Sequence, residues 1–140
     1  MTVHIDNVCT ITGPVSRAHE GDAGYDLSYH GESTVTLHPG GRVAFPTGVT
    51  TQFHTDEYFG SVCPRSGLAL KKGVTVLNAP GIVDSSFEGE IKVILINLSH
   101  HDVTIEPGDR IAQLVIAPCM IDHHYNGNVR GEAGFGSSGE

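Results

Sequence analysis

The chain is short of aromatic residues and of positive charge. It has no tryptophan and 6% aromatic residues against 39% hydrophobic residues overall, so any core must be mainly aliphatic. Its 8 lysines and arginines against 16 aspartates and glutamates give a formal net charge of -8. This balance argues against nucleic-acid or anionic-membrane partners, which need a basic surface. No stretch of about 18 apolar residues is present, so we expect no membrane span.

Cysteine is also scarce. Cys9, Cys63 and Cys119 are odd in number and far apart, which predicts buried free thiols rather than a disulfide framework. The first ten residues lack the basic start and the apolar stretch of a secretory signal. With 140 residues, the chain is expected to form a single β domain in the cytoplasm.

What the sequence does contain is short segments in which apolar and polar residues alternate, the pattern of half-buried β-strands. These segments are 34–38, 41–45, 49–53, 73–78 and 102–105. Pro-Gly turn signals separate some of them. The pattern predicts an all-β fold of the sandwich, barrel or jelly-roll type.

Two segments, 91–98 and 110–117, are apolar at nearly every position. A strand with one solvated face should not have this composition, so a second sheet or a neighbouring subunit must cover the other face. We favour a homo-oligomer, because a chain of 140 residues has little material to spare.

One segment, 66–73, predicts a short helix. Ser66 is suited to cap its first turn, and Gly73 is suited to end it. The last fifteen residues, 126–140, carry five glycines and no periodicity, so we divide the chain into a body of residues 1–125 and a flexible C-terminal arm of residues 126–140.

Several candidate functional residues lie where strands are expected to end. Arg65 and Ser66 stand where a strand meets the helix, and a helix start with an arginine suits a phosphate, although a plain helix cap is an equal alternative. Asp26 is expected just before a strand, where it could hold a metal-bound water or be an ordinary surface residue. Gln113 is expected on the same face as Ile111 and Val115, where its amide needs a partner.

The segment 78–90 offers the elements of a nucleoside site. Pro80-Gly81 predicts a tight hairpin whose exposed backbone, together with the Asn78 amide, suits a flat heterocycle. Asp84 could activate a water, and Phe87 could cover a sugar. The alternative is that Asp84 merely opens a turn. In the arm, Arg130 and the glycine-rich stretch that follows could close over an anion.

Five segments in order resemble the motifs of the trimeric deoxyuridine triphosphatase (dUTPase) family: AGYDL, PRSGLA, NAPGIVDSSFEGEI, GDRIAQL and RGEAGFGSSG, at 23–27, 64–69, 78–91, 108–114 and 130–139. The resemblance implies a jelly-roll homotrimer with one short helix and three sites at subunit interfaces, each closed by the C-terminal arm of a third, neighbouring subunit. It also implies Mg²⁺-dependent hydrolysis of dUTP to dUMP and pyrophosphate, which keeps uracil out of DNA and supplies dUMP for thymidylate synthesis.

The resemblance further implies a role for each matching residue. Asp84 would activate the attacking water, and Asp26 would help to place Mg²⁺ through water while the triphosphate holds most of the ion. The residues that would bind substrate are Arg65, Ser66, Gly67, Asn78, Gly81, Val83, Phe87, Gln113, Arg130, Phe135, Gly136, Ser137 and Ser138. Phe87 stands where the family commonly has tyrosine, so a ring is kept and a hydroxyl is lost.

Two alternatives remain beside this hypothesis. A dCTP deaminase or a bifunctional relative would need a glutamate where this chain has Ile94. A nucleotide-gated regulator that binds a protein partner is the alternative outside enzymes. The nine histidines show no metal-ligand spacing, so zinc is not expected.

Overall fold

The computed structural model describes residues 1–123 and 134–135 of the chain. Strands dominate this part, and one short helix interrupts them. The elements are β1 (Thr2–Ile5), β2 (Cys9–Thr12), β3 (Val15–Ser16), β4 (Gly24–Ser28), β5 (Val35–Leu37), β6 (Arg42–Pro46), β7 (Thr50–Phe53), β8 (Tyr58–Cys63), α1 (Ser66–Lys72), β9 (Val74–Val76), β10 (Gly81–Val83), β11 (Lys92–Asn97), β12 (Val103–Ile105) and β13 (Arg110–Pro118).

The strands form antiparallel sheets. The five-stranded sheet has the order β10-β8-β13-β4-β3, and two three-stranded sheets have the orders β1-β2-β7 and β6-β11-β9. A two-stranded sheet joins β12 to β5. This architecture confirms the predicted all-β jelly-roll class. Each of the five alternating segments overlaps a strand, whereas β1 and β2 were not predicted.

The core is mainly aliphatic, as the composition predicts. Its largest fully buried side chains include Leu27, Leu95 and Leu114. The aromatic contribution includes Phe45 and Tyr29, whose rings meet edge to face with centroids 5.0 Å apart.

The strand β11 shows why its sequence is apolar at nearly every position. Val93 and Leu95 point into the core and are fully buried, while Ile94 and Ile96 on the opposite face are only partly buried within this chain. The core therefore accounts for one face of β11. The other face presents a half-exposed aliphatic surface.

The helix α1 is confirmed with its end at Gly73, which adopts a left-handed φ of 66° and whose N–H donates to Ala69 O at 3.0 Å. Its predicted start was wrong by one residue. Arg65, with φ -100° and ψ 130°, is the N-cap, and no side chain caps the helix. Ser66 is therefore the first helical residue, because the extended backbone ends at Arg65.

All three cysteines are free, as predicted, but only one is fully buried. Cys9 lies in the core, and burial raises the pKa of its thiol to about 11, against a smaller opposing effect of a backbone hydrogen bond from Gln52. Cys63 and Cys119 are half-buried, so the prediction of burial was wrong for them. The described part of the chain contains no helix long and apolar enough to cross a membrane.

Candidate active site

One cavity of ≈ 310 Å³, here called the arginine cavity, gathers the predicted phosphate-binding residues. It is lined by Ala18, Asp22, Ala23, Gly24, Asp26, Arg65, Ser66, Gly67, Arg110 and Gln113. Strands β4 and β13 supply its floor, and the start of α1 supplies one wall. Five residues from three separate sequence segments, to which the family resemblance gives phosphate or metal roles, thus lie together.

Asp26 is the electrostatic centre of the arginine cavity. It lies inside β4 rather than before a strand, which corrects the sequence prediction, and its direct partner across the ladder is Gln113 on β13. Arg65 Nε lies 3.3 Å from Asp26 Oδ1, and Arg110 Nη1 lies 3.7 Å from Asp26 Oδ2. The carboxylate is 16% exposed, so the two guanidinium groups pair with a partly buried negative charge.

A β-bulge brings Arg110 to this cavity. The ladder between β13 and β4 shifts register between Arg110 and Ala112, and the consecutive Ile111 and Ala112 are both buried. Residues three apart on a regular strand face opposite sides, but the bulge lets Arg110 and Gln113 line one cavity. The prediction that Gln113 shares a face with Ile111 was therefore wrong.

The Gln113 amide has a partner within the protein. Its Nε2 donates to Pro64 O at 2.9 Å, which ties β13 to the residue before Arg65. Its Oε1 lies over the α-carbon of Gly24, where a β-carbon would come within 2.4 Å of it. The absence of a side chain at Gly24 therefore makes room for this amide.

The start of α1 completes the arginine cavity. Ala69 N–H donates to Arg65 O at 3.1 Å, so the amides of Ser66 and Gly67 precede the first helical hydrogen bond. Such amides are available to an anion that enters the cavity. A β-carbon at Gly67 would meet nothing within 4 Å, so this backbone is open on the cavity side.

A second cavity of ≈ 330 Å³, here called the Asp84 cavity, gathers the predicted nucleoside-binding residues. It is lined by Val62, Asn78, Gly81, Ile82, Val83, Asp84, Phe87, Glu90, Ile91, Lys92, Gly134 and Phe135. Its walls are mainly apolar with a few polar groups, which suits a small heterocyclic ligand. Among the described residues, none lines both this cavity and the arginine cavity.

The predicted hairpin around Pro80-Gly81 is wrong in its pairing. A turn does occupy residues 77–80, but β9 pairs with β11 while β10 pairs with β8. The two strands beside the turn therefore belong to different sheets. Close backbone contact still shapes the cavity, since a β-carbon at Gly81 would lie 3.3 Å from Val62 Cβ and 3.4 Å from Asn78 Nδ2.

Asp84 follows β10 directly and opens a turn. Phe87 N–H donates to Asp84 O at 3.0 Å, which places the carboxylate and the ring on the same short loop. Both side chains are half-buried. The sequence allowed the alternative that Asp84 merely opens a turn. That turn is present, and it brings Asp84 and Phe87 to one cavity.

The arm is described only at Gly134 and Phe135. Both line the Asp84 cavity of their own chain, and a β-carbon at Gly134 would lie 3.5 Å from Phe87 Cε1. The other arm residues predicted to bind substrate lie outside the described residues: Arg130, Gly136, Ser137 and Ser138.

Some of the histidines that the structure describes make other contacts. His38 Nδ1 lies 3.0 Å from Asp102 Oδ1 on the surface. His54 Nε2 shares a 2.9 Å hydrogen bond with the hydroxyl of Thr10. Within residues 1–123 and 134–135, no three His, Cys, Asp or Glu residues gather as a metal site.

Comparison with known proteins gives this geometry its context. The family model described as dUTPase matches residues 14–139, which is nearly the whole chain. The chain belongs to the dUTPase family. Both cavities are built from residues inside the matched range.

Individual relatives agree with this assignment. The deoxyuridine 5'-triphosphate nucleotidohydrolase of Beijerinckia indica is 50% identical over 127 residues, covering 85% of this chain and 78% of the relative. The solved EIAV dUTPase is 28% identical with a TM-score of 0.70, covering 86% of this chain and 92% of that one. A dUTPase of Staphylococcus aureus phage phi11, described as coordinating a structural Mg(II) ion, shares the fold at 22% identity with a TM-score of 0.71, covering 82% of this chain and 93% of that one.

Sequence reasoning missed four charged residues that line the cavities of this dUTPase-family chain: Asp22 and Arg110 in the arginine cavity, and Glu90 and Lys92 in the Asp84 cavity. Arg110 lies within the GDRIAQL motif, but strand alternation hides its role because the bulge is not visible in the sequence. Glu90 and Lys92 follow Phe87 and line the Asp84 cavity. The sequence did not indicate that these two residues lie near Asp84, because they reach its cavity only when the loop returns to the sheet.

Proposed function

We propose that this protein hydrolyses dUTP to dUMP and pyrophosphate at a site that combines the two cavities. The observation that carries the proposal is the sorting of the predicted residues by chemistry. Every described residue predicted for the base or sugar lines the Asp84 cavity, and every described residue predicted for phosphate or metal lines the arginine cavity. A nucleoside and a polyphosphate are the two parts of one nucleotide.

The Asp84 cavity supports recognition of uracil. The Asn78 amide and the backbone at Gly81 and Val83 supply donors and acceptors along one edge of a planar base. Cytosine presents the opposite donor–acceptor pattern at its amino group, and thymine adds a methyl group that would clash with the wall of a cavity fitted to uracil. Phe87 packs on the deoxyribose, where a 2′-hydroxyl would clash with the ring.

The arginine cavity supports binding of the triphosphate. Arg65 and Gln113, with the free amides at Ser66 and Gly67, provide donors that suit phosphate oxygens. Arg110 adds a second guanidinium on the same carboxylate. In a chain of net charge -8, these local cations supply the attraction that the surface as a whole does not.

The proposed reaction is an in-line displacement at the α-phosphorus. The Asp84 carboxylate orients a water and accepts its proton as the water oxygen bonds to phosphorus. The bond from the α-phosphorus to the oxygen that bridges it to the β-phosphate breaks, and pyrophosphate leaves. Donors on the phosphates stabilise the charge that develops on the leaving group.

The residues of the arginine cavity fit Mg²⁺ held mainly by the nucleotide. The arginine cavity offers the carboxylates of Asp22 and Asp26, and no three-ligand cluster exists in the described residues. Mg²⁺ keeps several waters and commonly combines one or two carboxylates with substrate phosphates, so Asp26 would contact the ion through water. When bound, Mg²⁺ neutralises charge on the phosphates.

We further propose that the protein is a homotrimer in which each site joins the cavities of two chains and an arm. Two observations support this: the arginine cavity and the Asp84 cavity are separate, and β11 carries a half-exposed aliphatic face. The arm of residues 126–140, with Arg130, Ser137 and Ser138 on the γ-phosphate and Phe135 over the base, belongs to this proposal. A cytoplasmic location and a regulatory protein partner stay predictions from the sequence.

The deaminase alternative finds no support in the structure. Ile94, at the position where a deaminase needs its glutamate, lies on β11 and lines neither cavity. An aliphatic side chain there cannot transfer a proton. We therefore propose hydrolysis rather than deamination.

The test is pyrophosphate release from dUTP, dCTP, dTTP and UTP with Mg²⁺, for the natural chain and for Asp84→Asn. We expect release from dUTP alone and its loss in the variant, with an unchanged circular dichroism spectrum. Turnover that persists in Asp84→Asn would move the general base elsewhere. No turnover of any nucleotide by a folded trimer would favour the nucleotide-gated regulator instead.

A further inference from the structure

The loop that carries Asp84 and Phe87 returns to the sheet at Glu90 and Ile91. Its first end is secured by β10, which pairs with β8. Its second end meets the turn between β6 and β7, at residues 47–49. The position of the loop therefore depends on how firmly this second end is attached.

Three hydrogen bonds join the second end of the loop to the turn. Thr47 Oγ1 donates to Ile91 O at 2.6 Å, and Ile91 N–H donates to Val49 O at 2.8 Å. Gly48 N–H donates to Glu90 Oε2 at 2.7 Å. The last of these uses a side chain of the loop itself, and it lies closest along the chain to Asp84 and Phe87.

The turn is a rigid support for that bond. Thr47 and Val49 are fully buried, and Gly48 has a left-handed φ of 70°. A β-carbon at Gly48 would lie 2.9 Å from His30 Cδ2, so the backbone is closely packed there as well. The direction of the Gly48 N–H is therefore determined by the core, not by the loop that it holds.

Glu90 also lines the Asp84 cavity, on the same loop as Asp84 and Phe87. A carboxylate that accepts a backbone N–H makes a charge-assisted bond, stronger than a neutral one. We propose that Glu90 is a positioning residue: its bond to Gly48 holds the loop so that Asp84 and Phe87 face the substrate. This inference rests on the proposed dUTP hydrolysis.

The test compares four variants by kcat and KM for dUTP. Glu90→Ala removes the acceptor, and Glu90→Asp keeps the charge but shortens the reach. Glu90→Gln keeps an acceptor of the same length. Glu88→Ala is the matched control, because Glu88 is an exposed carboxylate two residues away on the same loop.

We expect kcat/KM to fall about tenfold or more in Glu90→Ala and Glu90→Asp, the effect of losing one charge-assisted hydrogen bond. Glu90→Gln keeps a neutral acceptor of the same length, so its loss should be clearly smaller than that in Glu90→Ala, and Glu88→Ala should be unchanged. Glu90→Asp keeps the experiment decisive if Glu90→Ala does not fold. A loss in Glu90→Gln equal to that in Glu90→Ala would overturn the proposal, because the hydrogen bond that the amide can still accept would then contribute nothing.

A second measurement separates this inference from the proposed function. Hydrogen exchange of the Gly48 amide should accelerate in Glu90→Ala and Glu90→Asp and remain slow in Glu90→Gln. If the natural chain does not hydrolyse dUTP, the proposed function fails, but the exchange data still test whether the hydrogen bond from Gly48 N–H to Glu90 Oε2 holds the loop. The proposed role of the Glu90–Gly48 hydrogen bond would be overturned if kcat/KM in Glu90→Ala equals that of the natural chain, or if the exchange rate of the Gly48 amide is the same in both.

Discussion

The side-chain oxygen of Gln113 occupies the space that a β-carbon at Gly24 would need. The two positions lie on neighbouring strands, and an added β-carbon would stand 2.4 Å from Gln113 Oε1 and 3.0 Å from Gln113 Cβ. Because Gln113 also donates to Pro64 O, its amide cannot move without releasing the segment that leads to Arg65.

This relationship predicts the effect of Gly24→Ala. We expect the free energy of unfolding to fall by about 1–3 kcal/mol, the usual cost of overpacking, and kcat/KM for dUTP to fall with it. In Gly24→Ala combined with Gln113→Ala, the loss of stability should be smaller than the sum of the two single losses, because the conflict with Gln113 Oε1 is removed and only the 3.0 Å approach to the β-carbon at position 113 remains, while activity stays at the level of Gln113→Ala alone. A double-mutant cycle by urea unfolding measures this coupling, and simple additivity would show that the two residues do not conflict.

The separation of the two cavities predicts complementation between inactive chains. Arg65→Ala disables the arginine cavity and Asp84→Asn disables the Asp84 cavity, so each chain alone should be inactive. In mixed trimers made by coexpression, about a quarter of sites should join two intact cavities and regain activity, since each site draws on two chains of a symmetric ring.

A matched control strengthens this experiment. Arg65→Ala mixed with Gln113→Ala damages the same cavity in every chain, so no activity should return. If the mixture of Arg65→Ala and Asp84→Asn is also inactive, the site does not join cavities from different chains.

Phe87 predicts how the site treats the sugar. In the proposed function the Phe87 ring packs on the deoxyribose and excludes a 2′-hydroxyl, and Phe87→Tyr keeps that ring, so the ratio of kcat/KM for dUTP over UTP should change by no more than about threefold. Phe87→Ala should lower the ratio by about tenfold or more, because a lost steric contact relaxes discrimination. Steady-state kcat/KM values for dUTP and UTP, measured for the natural chain and both variants, test this prediction. A large gain in selectivity in Phe87→Tyr would mean that the missing hydroxyl matters.

Cys9 predicts a dependence of stability on alkaline pH. Its pKa is about 11 in the folded protein against an ordinary value of 9.0, so the unfolded chain loses this proton first as the pH rises. The contribution of the thiol to stability is therefore complete below pH 9 and is lost between pH 9 and pH 11, by up to roughly 3 kcal/mol at about 1.4 kcal/mol per unit. Urea unfolding of the natural chain and Cys9→Ala across this range isolates the effect. Parallel pH profiles for the two chains would refute it.

Much of the fold and of the site could be predicted from the sequence, because strand alternation and motif chemistry are local properties. The turn at Pro80 and the short helix from Ser66 are each determined by residues that are adjacent in the sequence. What could not be predicted depends on partners distant in the chain. The bulge beside Arg110 exists only in the ladder with β4, and the assignment of β9 and β10 to different sheets depends on β11 and β8. The hydrogen bond that Glu90 accepts from Gly48 likewise depends on a turn more than forty residues earlier.

The pairing of two arginines with one carboxylate also determines how a nucleotide reaches the protein. The chain as a whole has a net charge of -8, whereas Arg65 and Arg110 lie together beside Asp26, and the Debye length at physiological ionic strength is about 8 Å. A polyanion therefore meets net repulsion at long range and finds the guanidinium groups of Arg65 and Arg110 at short range. Because added salt screens the long-range repulsion first, the rate of encounter should hold or rise with ionic strength, whereas a protein that steers its ligand with a basic surface slows.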